Sequence, residues 1–204
     1  MGSDDVVPRV IVLDLDGTLW SPEMYQLWGG GGSPFRLDTS DKGTNSSPHS
    51  SAAIDKAGTK VRLIGESRNV LQQLLTDPKW RNTYLAVSST CDEPRWAMEL
   101  LQLFKFTDRD GKQVPMLSLF GDLLEIYSAN KAQHHRTILK KVQKLDPSIK
   151  DDFSQFVFYD NQTNNIENVR KIGVSSVYCP SGLVGGVFER GIHEWREKQK
   201  KCTL

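Results

Sequence analysis

Two aspartates, Asp14 and Asp16, follow a run of apolar residues at 10–13 and precede Gly17. Residues two apart in an extended chain point to the same side, so the two carboxylates repel each other unless a divalent cation lies between them. Gly17 allows a steep turn, and the backbone amides after it can cradle an oxyanion. A nucleophilic carboxylate, a second carboxylate for proton transfer and a bound cation together suit attack on phosphorus.

An Asp-x-Asp-Gly sequence can also be no more than a strand that ends in a turn. Two later apolar runs, however, end in polar residues in the same way: Ser88-Ser89 follows one, and Asp160-Asn161 follows the other. In an open α/β sheet, ligands bind beyond the carboxyl ends of the strands, at a switch point in strand order. The sequence therefore predicts a functional site at these three strand ends.

Apolar runs alternate with segments of helical periodicity, and this pattern predicts a doubly wound α/β fold with a parallel sheet in one domain spanning 1–204. The strands are expected at 10–13, 84–87, 156–159 and 174–178. The helices are expected at 66–75, from 93–94 onward, and at 131–145, 166–172 and 184–200. The short apolar segment 120–127 fits either kind of element.

A Gly/Ser-rich insertion at about 21–60 interrupts this pattern. It contains four consecutive glycines at 29–32 and a polar stretch at 39–51, flanked by the aromatic residues Tyr25, Trp28 and Phe35. Such a composition buries little apolar surface, so we expect a flap that is anchored at its roots and loose at its tip.

Composition excludes several classes of protein. The 204 residues carry 26 Lys+Arg against 25 Asp+Glu, without the basic surplus that nucleic acids and anionic membranes select for. The cysteines Cys91, Cys179 and Cys202 are too scattered for a disulfide framework, and no apolar run is long enough to span a membrane. The acidic N-terminus is unlike a signal peptide. We expect a cytoplasmic monomer, in which the glycosylation patterns at Asn45 and Asn161 carry no meaning.

The motifs together resemble the haloacid dehalogenase (HAD) superfamily of phosphotransferases. Residues 12–19 resemble its first motif, and Trp20, Ser88, Asn130-Lys131 and 158–166 more narrowly resemble its magnesium-dependent phosphatases. The resemblance runs from about Pro8 to the last helix, with the insertion as the poorly matching part. It implies a HAD-like, Rossmann-type fold that carries a flap insertion but no separate cap domain.

The resemblance also implies a role for each matching residue. Asp14 would attack phosphorus and form an aspartyl-phosphate, while Asp16 would protonate the leaving alcohol and then deprotonate water. Mg2+ would bind the Asp14 carboxylate and the Asp16 backbone carbonyl. Lys131 would pair with both the phosphate and the nucleophile. The substrate-binding residues implied are Leu15, Ser88, Ser89 and Lys131.

Two positions depart from the family pattern. Asn161 stands where a metal-binding acid is expected, so we expect Asn161 to contact Mg2+ and Asp160 to support it, directly or through water. An amide oxygen is an acceptable Mg2+ ligand. Ser89 stands where the family tends to carry an arginine. Without the bidentate contact that an arginine makes to a phosphate or a carboxylate, the substrate preference of the family does not carry over to this site.

The sequence thus predicts a Mg2+-dependent phosphomonoester hydrolase acting on phosphoproteins, including phosphotyrosine, or on phosphosugars. Two alternatives stay open: a protein-serine phosphatase of the RNA-polymerase-tail type, whose Asp-Asn pair is similar, and a catalytically weak phosphate-binding scaffold. A nucleotide-binding module is disfavoured because neither G-x-G-x-x-G nor a P-loop follows the first strand.

Overall fold

A central parallel sheet organises the chain, which this computed structural model describes over residues 6–41 and 49–202. Its five strands lie in the order β11-β10-β1-β6-β9, and every neighbouring pair is parallel. Their bounds are β1 Val10–Leu13, β6 Tyr84–Ser89, β9 Leu124–Ile126, β10 Phe156–Asp160 and β11 Ser175–Tyr178. The predicted doubly wound α/β fold is confirmed. Asn45 and the acidic residues at 4–5 lie outside the described residues.

The helices cover both faces of this sheet, so that successive residues of β1 enter two different cores. Ile11 and Leu13 pack with α1, α2 and α5, whereas Val10 and Val12 pack with α3 and α4. The bounds are α1 Ser67–Thr76, α2 Pro94–Leu103, α3 Lys131–Leu145, α4 Thr163–Arg170 and α5 Val187–Cys202. Burial on both faces explains why β1 is apolar without alternation.

The order of the strands reverses next to β1. From β1 the chain builds outward through β6 to β9, and α3 then crosses back to β10 on the other side of β1. The carboxyl ends of β1, β6 and β10 therefore meet at one edge of the sheet. This is the switch point at which a doubly wound sheet binds its ligand.

The insertion is a second small sheet, and the expectation that it is too polar to order itself is wrong for the residues described. Strands β2 to β5 form an antiparallel sheet in the order β2-β5-β4-β3. Their bounds are β2 Trp20–Ser21, β3 Arg36–Leu37, β4 Ala52–Ile54 and β5 Lys60–Leu63. Part of the polar stretch 39–51 lies outside the described residues.

Contacts with distant residues order the glycine-rich part of the insertion. The backbone amide of Gly32 donates to Asp55 Oδ2 at 2.8 Å, and a Cβ on Gly32 would overlap the ring of Trp96 on α2. At the return of the insertion, the buried guanidinium of Arg68 donates to the carbonyl of Ser50 and, at 2.6 Å, to Ser51 Oγ. The insertion is thus fixed to the body of the protein at both of these points.

Three further parts of the chain differ from the sequence expectation or complete it. The ambiguous segment 120–127 contains β9, an edge strand of the central sheet, and a hairpin of β7 Lys105–Thr107 and β8 Gln113–Pro115 was not expected. The helix expected at 166–172 begins three residues earlier, at Thr163. Among residues 6–41 and 49–202, no helix combines the length and the apolar character that crossing a bilayer requires.

Candidate active site

Asp14 lies directly after β1, where its carboxylate is almost completely buried. Oδ1 accepts a hydrogen bond from Lys131 Nζ at 2.5 Å, and Oδ2 accepts one from Thr18 Oγ1 at 3.0 Å. Burial raises the pKa of Asp14 to about 7. The positive charge of Lys131 opposes this shift, and the nearby negative charge of Asp160 adds to it. The hydrogen bonds from Lys131 and Thr18 hold both carboxylate oxygens of Asp14 in a fixed orientation.

Lys131 begins α3 and is buried among acceptors. Its ammonium contacts Asp14 Oδ1 at 2.5 Å, Asp160 Oδ2 at 2.9 Å and the backbone carbonyl of Ser88 at 2.5 Å. Burial opposes the charge, but the two carboxylates outweigh burial and raise the pKa of Lys131. An ammonium has three N–H donors, so the three acceptors on the protein saturate it.

Asp16 is held by the start of the insertion and not by the sheet. Trp20 Nε1 donates to Oδ1 at 2.6 Å, and the backbone amide of Met24 donates to Oδ2 at 3.0 Å. Burial raises the pKa of Asp16, while the hydrogen bonds from Met24 and Trp20 lower it in part. Asp16 thus combines a fixed position with a greater tendency to hold a proton than an exposed aspartate has.

The turn after Asp16 does not form the predicted amide cradle. The amides of Thr18, Leu19 and Trp20 all donate to the carbonyl of Leu15, and that of Gly17 donates to the carbonyl of Trp20. The amides of Leu15 and Asp16, by contrast, donate to no carbonyl of the described residues. The side chain of Leu15 lies in the hydrophobic core, so only its backbone amide could serve substrate binding.

Asp160 and Asn161 have different surroundings. Asp160 is fully buried and accepts from Lys131, from the amide of Gln162 at 2.7 Å and from Asn165 Nδ2 at 3.1 Å. The Asn161 side chain lies against Gly17, in space that a Cβ would occupy, and its buried Oδ1 has no hydrogen-bond partner among the described residues. Asp160 therefore holds Lys131 and Asn165, whereas the amide oxygen of Asn161 is available.

The two serines near the end of β6 face different ways. Ser88 is fully buried on the α3 side, where Oγ lies 3.1 Å from His134 Nδ1. Ser89 lines the cleft next to Asp14 and Asp16, and its Oγ accepts a hydrogen bond from the amide of Cys91 at 3.3 Å. Burial raises the pKa of the Cys91 thiol, which makes that thiol a poor nucleophile.

A cleft of about 130 Å³ opens over these residues. Four carboxylates line it, and its lining contains no lysine or arginine among the described residues. Tyr25, which is 42% exposed, stands at its wall, and the ring of the exposed Trp28 contacts Tyr25 edge to face at 6.2 Å. The lining carboxylates are Asp14, Asp16, Glu23 and Asp92.

Four of the predicted site residues, Asp14, Asp16, Lys131 and Asp160, have their side chains together at one edge of the sheet. No role was predicted for Thr18, which lies within the first motif, or for Trp20, which directly follows it. An isolated Thr or Trp shortly after an aspartate is weak evidence of a contact. The indole reaches the Asp16 carboxylate because the chain turns back between Asp16 and Trp20, whose backbones form an isolated β-bridge.

Comparison with known proteins agrees with this site. The sequence pattern of the Acid Phosphatase family matches residues 6–198. Magnesium-dependent phosphatase 1 of Homo sapiens is 26% identical over 195 residues, which are 95% of this chain and 90% of that protein. A HAD-like hydrolase superfamily protein of Schizosaccharomyces pombe is 28% identical over 170 residues, or 82% of this chain and 83% of that protein.

Among solved structures, a HAD-superfamily hydrolase from Ehrlichia chaffeensis superposes with a TM-score of 0.53. The two chains are 13% identical, and the match covers 94% of this chain and 97% of the other, so it shows the fold alone. The sheet topology and the carboxylates at its switch point define a HAD-like hydrolase. The chain belongs to the Acid Phosphatase family, and it is a phosphatase whose substrate is a phosphate ester.

Proposed function

We propose that the chain hydrolyses phosphomonoesters with Mg2+ through an aspartyl-phosphate on Asp14. The observation that carries this proposal is that two buried carboxylates of the cleft are oriented by different hydrogen-bond partners. Asp14 is oriented by Lys131 and Thr18, whereas Asp16 is oriented separately by Trp20 and Met24, and both line one cleft. Two carboxyl groups in different environments can serve as nucleophile and as acid.

In the first step, a carboxylate oxygen of Asp14 attacks phosphorus and the ester P–O bond breaks. The Asp16 carboxyl gives its proton to the departing alkoxide oxygen. In the second step, the Asp16 carboxylate takes a proton from a water molecule that attacks the same phosphorus, and the P–O bond to Asp14 breaks. Inorganic phosphate leaves, Asp14 is a carboxylate again and Asp16 is protonated again.

The residues present fit a magnesium ion. The described residues contain no cluster of three or more His, Cys, Asp or Glu side chains arranged for a metal. Mg2+, however, prefers one or two carboxylates with neutral oxygens and water. Asp14, the Asp16 carbonyl and the unpartnered, buried Oδ1 of Asn161 would supply such a set. The bound ion would neutralise the charge of the transferring phosphoryl group.

The leaving group tests the roles of the two aspartates. Asp14→Asn should abolish turnover of every phosphomonoester, a loss of at least about 10³-fold. Asp16→Asn should affect alkyl phosphates far more than p-nitrophenyl phosphate, because p-nitrophenolate leaves without a proton. Asp92→Asn, which removes another carboxylate of the cleft, serves as the matched control and should retain turnover of both substrates.

Trapping identifies the nucleophile directly. Beryllium fluoride mimics a phosphoryl group on a carboxylate, so with Mg2+ present we expect its adduct on Asp14. Turnover that survives both EDTA and Asp14→Asn would contradict the proposal, as would an adduct on Asp16. Tight phosphate binding without turnover of any substrate would instead favour the phosphate-binding scaffold.

The wall of the cleft gives a preference among substrates. The exposed ring of Tyr25 offers a stacking face to an aromatic leaving group, which favours phosphotyrosine over sugar phosphates. Tyr25→Ala should raise KM for a phosphotyrosine peptide several-fold and leave a sugar phosphate unaffected, while Tyr25→Phe should behave as the native enzyme does. A panel with phosphoserine peptides tests the polymerase-tail alternative at the same time.

A further inference from the structure

Two separate segments of the chain contribute to the lining of the cleft. Glu23 and Tyr25 belong to the insertion, whereas residues 89–92 lie at the end of β6 and in the link from β6 to α2. The insertion carries its own antiparallel sheet, and β6 belongs to the central sheet, so the two segments are not joined through a common sheet. Contacts between side chains must therefore fix the position of one segment against the other.

Trp28 joins these two segments beside the cleft. Its ring contacts that of Tyr25 edge to face, with centroids 6.2 Å apart and planes at 69°. Its indole Nε1 donates to Glu93 Oε1 at 2.9 Å, and Glu93 directly follows the lining residue Asp92. Trp28 thus connects the ring of Tyr25 to the segment on which α2 begins.

This contact contributes little to the stability of the fold. Trp28 is exposed, and water competes for a hydrogen bond at the surface. Glu93 immediately precedes α2, but its side chain makes no capping hydrogen bond to that helix. What the contact supplies is orientation, because an exposed tryptophan without a partner would move among several rotamers and would leave the Tyr25 ring without a fixed neighbour.

We propose that Trp28 and Glu93 are positioning residues that hold the Tyr25 ring at the cleft and thereby set a preference for aryl phosphates. This inference rests on the proposed function, in which Tyr25 stacks on an aromatic leaving group. A ring that is already held in place loses less rotamer freedom when the substrate binds, so stacking on it gains more affinity. An alkyl leaving group has no flat face to stack, so its binding does not depend on this orientation.

Substitutions of the two positioning residues test the proposal. Glu93→Ala removes the acceptor and should raise KM for phosphotyrosine about two- to threefold, with kcat unchanged and with KM for glycerol phosphate as in the native enzyme. Glu93→Gln keeps an acceptor oxygen and should behave as the native enzyme does. Trp28→Phe keeps a ring beside Tyr25 but lacks the N–H, so it should match Glu93→Ala and provides a second variant.

Glu99 provides the matched control, because α2 holds the insertion a second time at this residue. The backbone amide of Phe35 donates to Glu99 Oε1 at 2.6 Å, and neither residue lines the cleft. Glu99→Ala leaves that part-buried amide without its acceptor, so it should lower Tm at least as much as Glu93→Ala does. It should leave KM for both substrates unchanged.

A double variant separates positioning from other effects. Adding Glu93→Ala to Tyr25→Ala should raise KM for phosphotyrosine no further, because no ring is left to hold. Multiplying effects in the double variant, native KM in Glu93→Ala, or an equal rise in Glu99→Ala would overturn the positioning role alone. Native KM for phosphotyrosine in Tyr25→Ala would overturn the stacking contact, and activity in Asp14→Asn would overturn the proposed function.

Discussion

At the scale of single residues, the ammonium of Lys131 neutralises two buried carboxylates. It was expected to pair with phosphate, but Asp14, Asp160 and the Ser88 carbonyl already occupy its three donors. Its role in this state is to hold the Asp14 carboxylate and to offset the repulsion between Asp14 and Asp160. Any direct contact with a phosphoryl oxygen requires that one of these partners be exchanged.

Removing that charge tests its role in stability. Lys131→Met leaves two carboxylates buried without a cation, so we expect the free energy of unfolding to fall by about 3–5 kcal/mol. Adding Asp160→Asn removes one of the two charges and should restore part of the loss. Urea unfolding of the single and double variants measures both effects. A double variant less stable than Lys131→Met alone would contradict this account.

The sequence identifies the charged residues of the site more readily than their partners. Asp14 follows β1 and Asp160 ends β10, and the topology alone brings such strand ends together. The donors to Asp16 were not predicted, because Trp20 and Met24 return to it only through the turn and the first bend of the insertion. The contact between Ser88 and His134 spans 46 residues and depends on the packing of α3.

At the scale of elements, the insertion shows why composition misleads. A run of glycines predicts a loose segment when only local sequence is considered. The partner that orders Gly32 is Asp55, which lies 23 residues later, and Asp55 Oδ1 also accepts from the amides of Ala57 and Thr59 at 2.9 and 2.7 Å. One buried carboxylate thus organises two turns, and no local rule reveals such a contact.

Two glycines of this run provide a matched pair. Gly32 and Gly29 both have positive φ, at +87° and +90°, but only a Cβ on Gly32 would overlap Trp96. We expect Gly29→Ala to cost about 1 kcal/mol of backbone strain, and Gly32→Ala to cost about 1–3 kcal/mol more through overpacking. Thermal unfolding of the two variants measures the difference. Equal costs would mean that Trp96 yields easily and does not fix the insertion.

Helix α3 carries two neutral histidines that make the fold sensitive to acid. Burial lowers the pKa of His134 to about 4 and that of His135 to about 3, whereas both take up protons near pH 6.5 in the unfolded chain. The unfolded state therefore binds more protons below about pH 6.5, and stability that is complete above this pH falls as the pH drops toward 4. Each histidine contributes a slope of up to about 1.4 kcal/mol per pH unit.

Replacing one of them isolates this contribution. His135→Gln cannot take up the proton, so its free energy of unfolding should decline less steeply than that of the native chain between about pH 6.5 and about pH 4.5. Urea unfolding at a series of pH values gives both slopes. Parallel slopes would show that carboxylates elsewhere dominate the acid response.

At the scale of the whole molecule, the near balance of charge conceals a strongly acidic cleft. The chain has a net charge of +1, yet Asp14, Asp16, Glu23 and Asp92 line the cleft without a lysine or arginine among the described residues. Such a lining repels an anionic substrate until a cation binds. Asp92 is not part of the proposed reaction, so its charge can be changed independently.

Reversing this charge should improve binding of an anion. With Mg2+ present, Asp92→Lys should lower KM for p-nitrophenyl phosphate about two- to tenfold at low ionic strength, and the effect should shrink at about 1 M salt, where charges are screened within about 3 Å. Asp151→Lys adds the same charge before β10, at the opposite edge of the sheet, and should change KM little. Equal effects of both variants would indicate overall charge and not the cleft.

The insertion leaves and re-enters the body of the protein at one place. The amide of Ile64 donates to the carbonyl of Leu19 at 2.9 Å, and Trp20 pairs with Leu63. A segment whose two ends meet can be lengthened, shortened or exchanged in evolution without changing the order of the central strands. The exception is its first turn, through Met24, because that turn donates to Asp16. We therefore expect relatives of this chain to diverge freely beyond Leu27, while the residues between Asp16 and Met24 change only together with the chemistry.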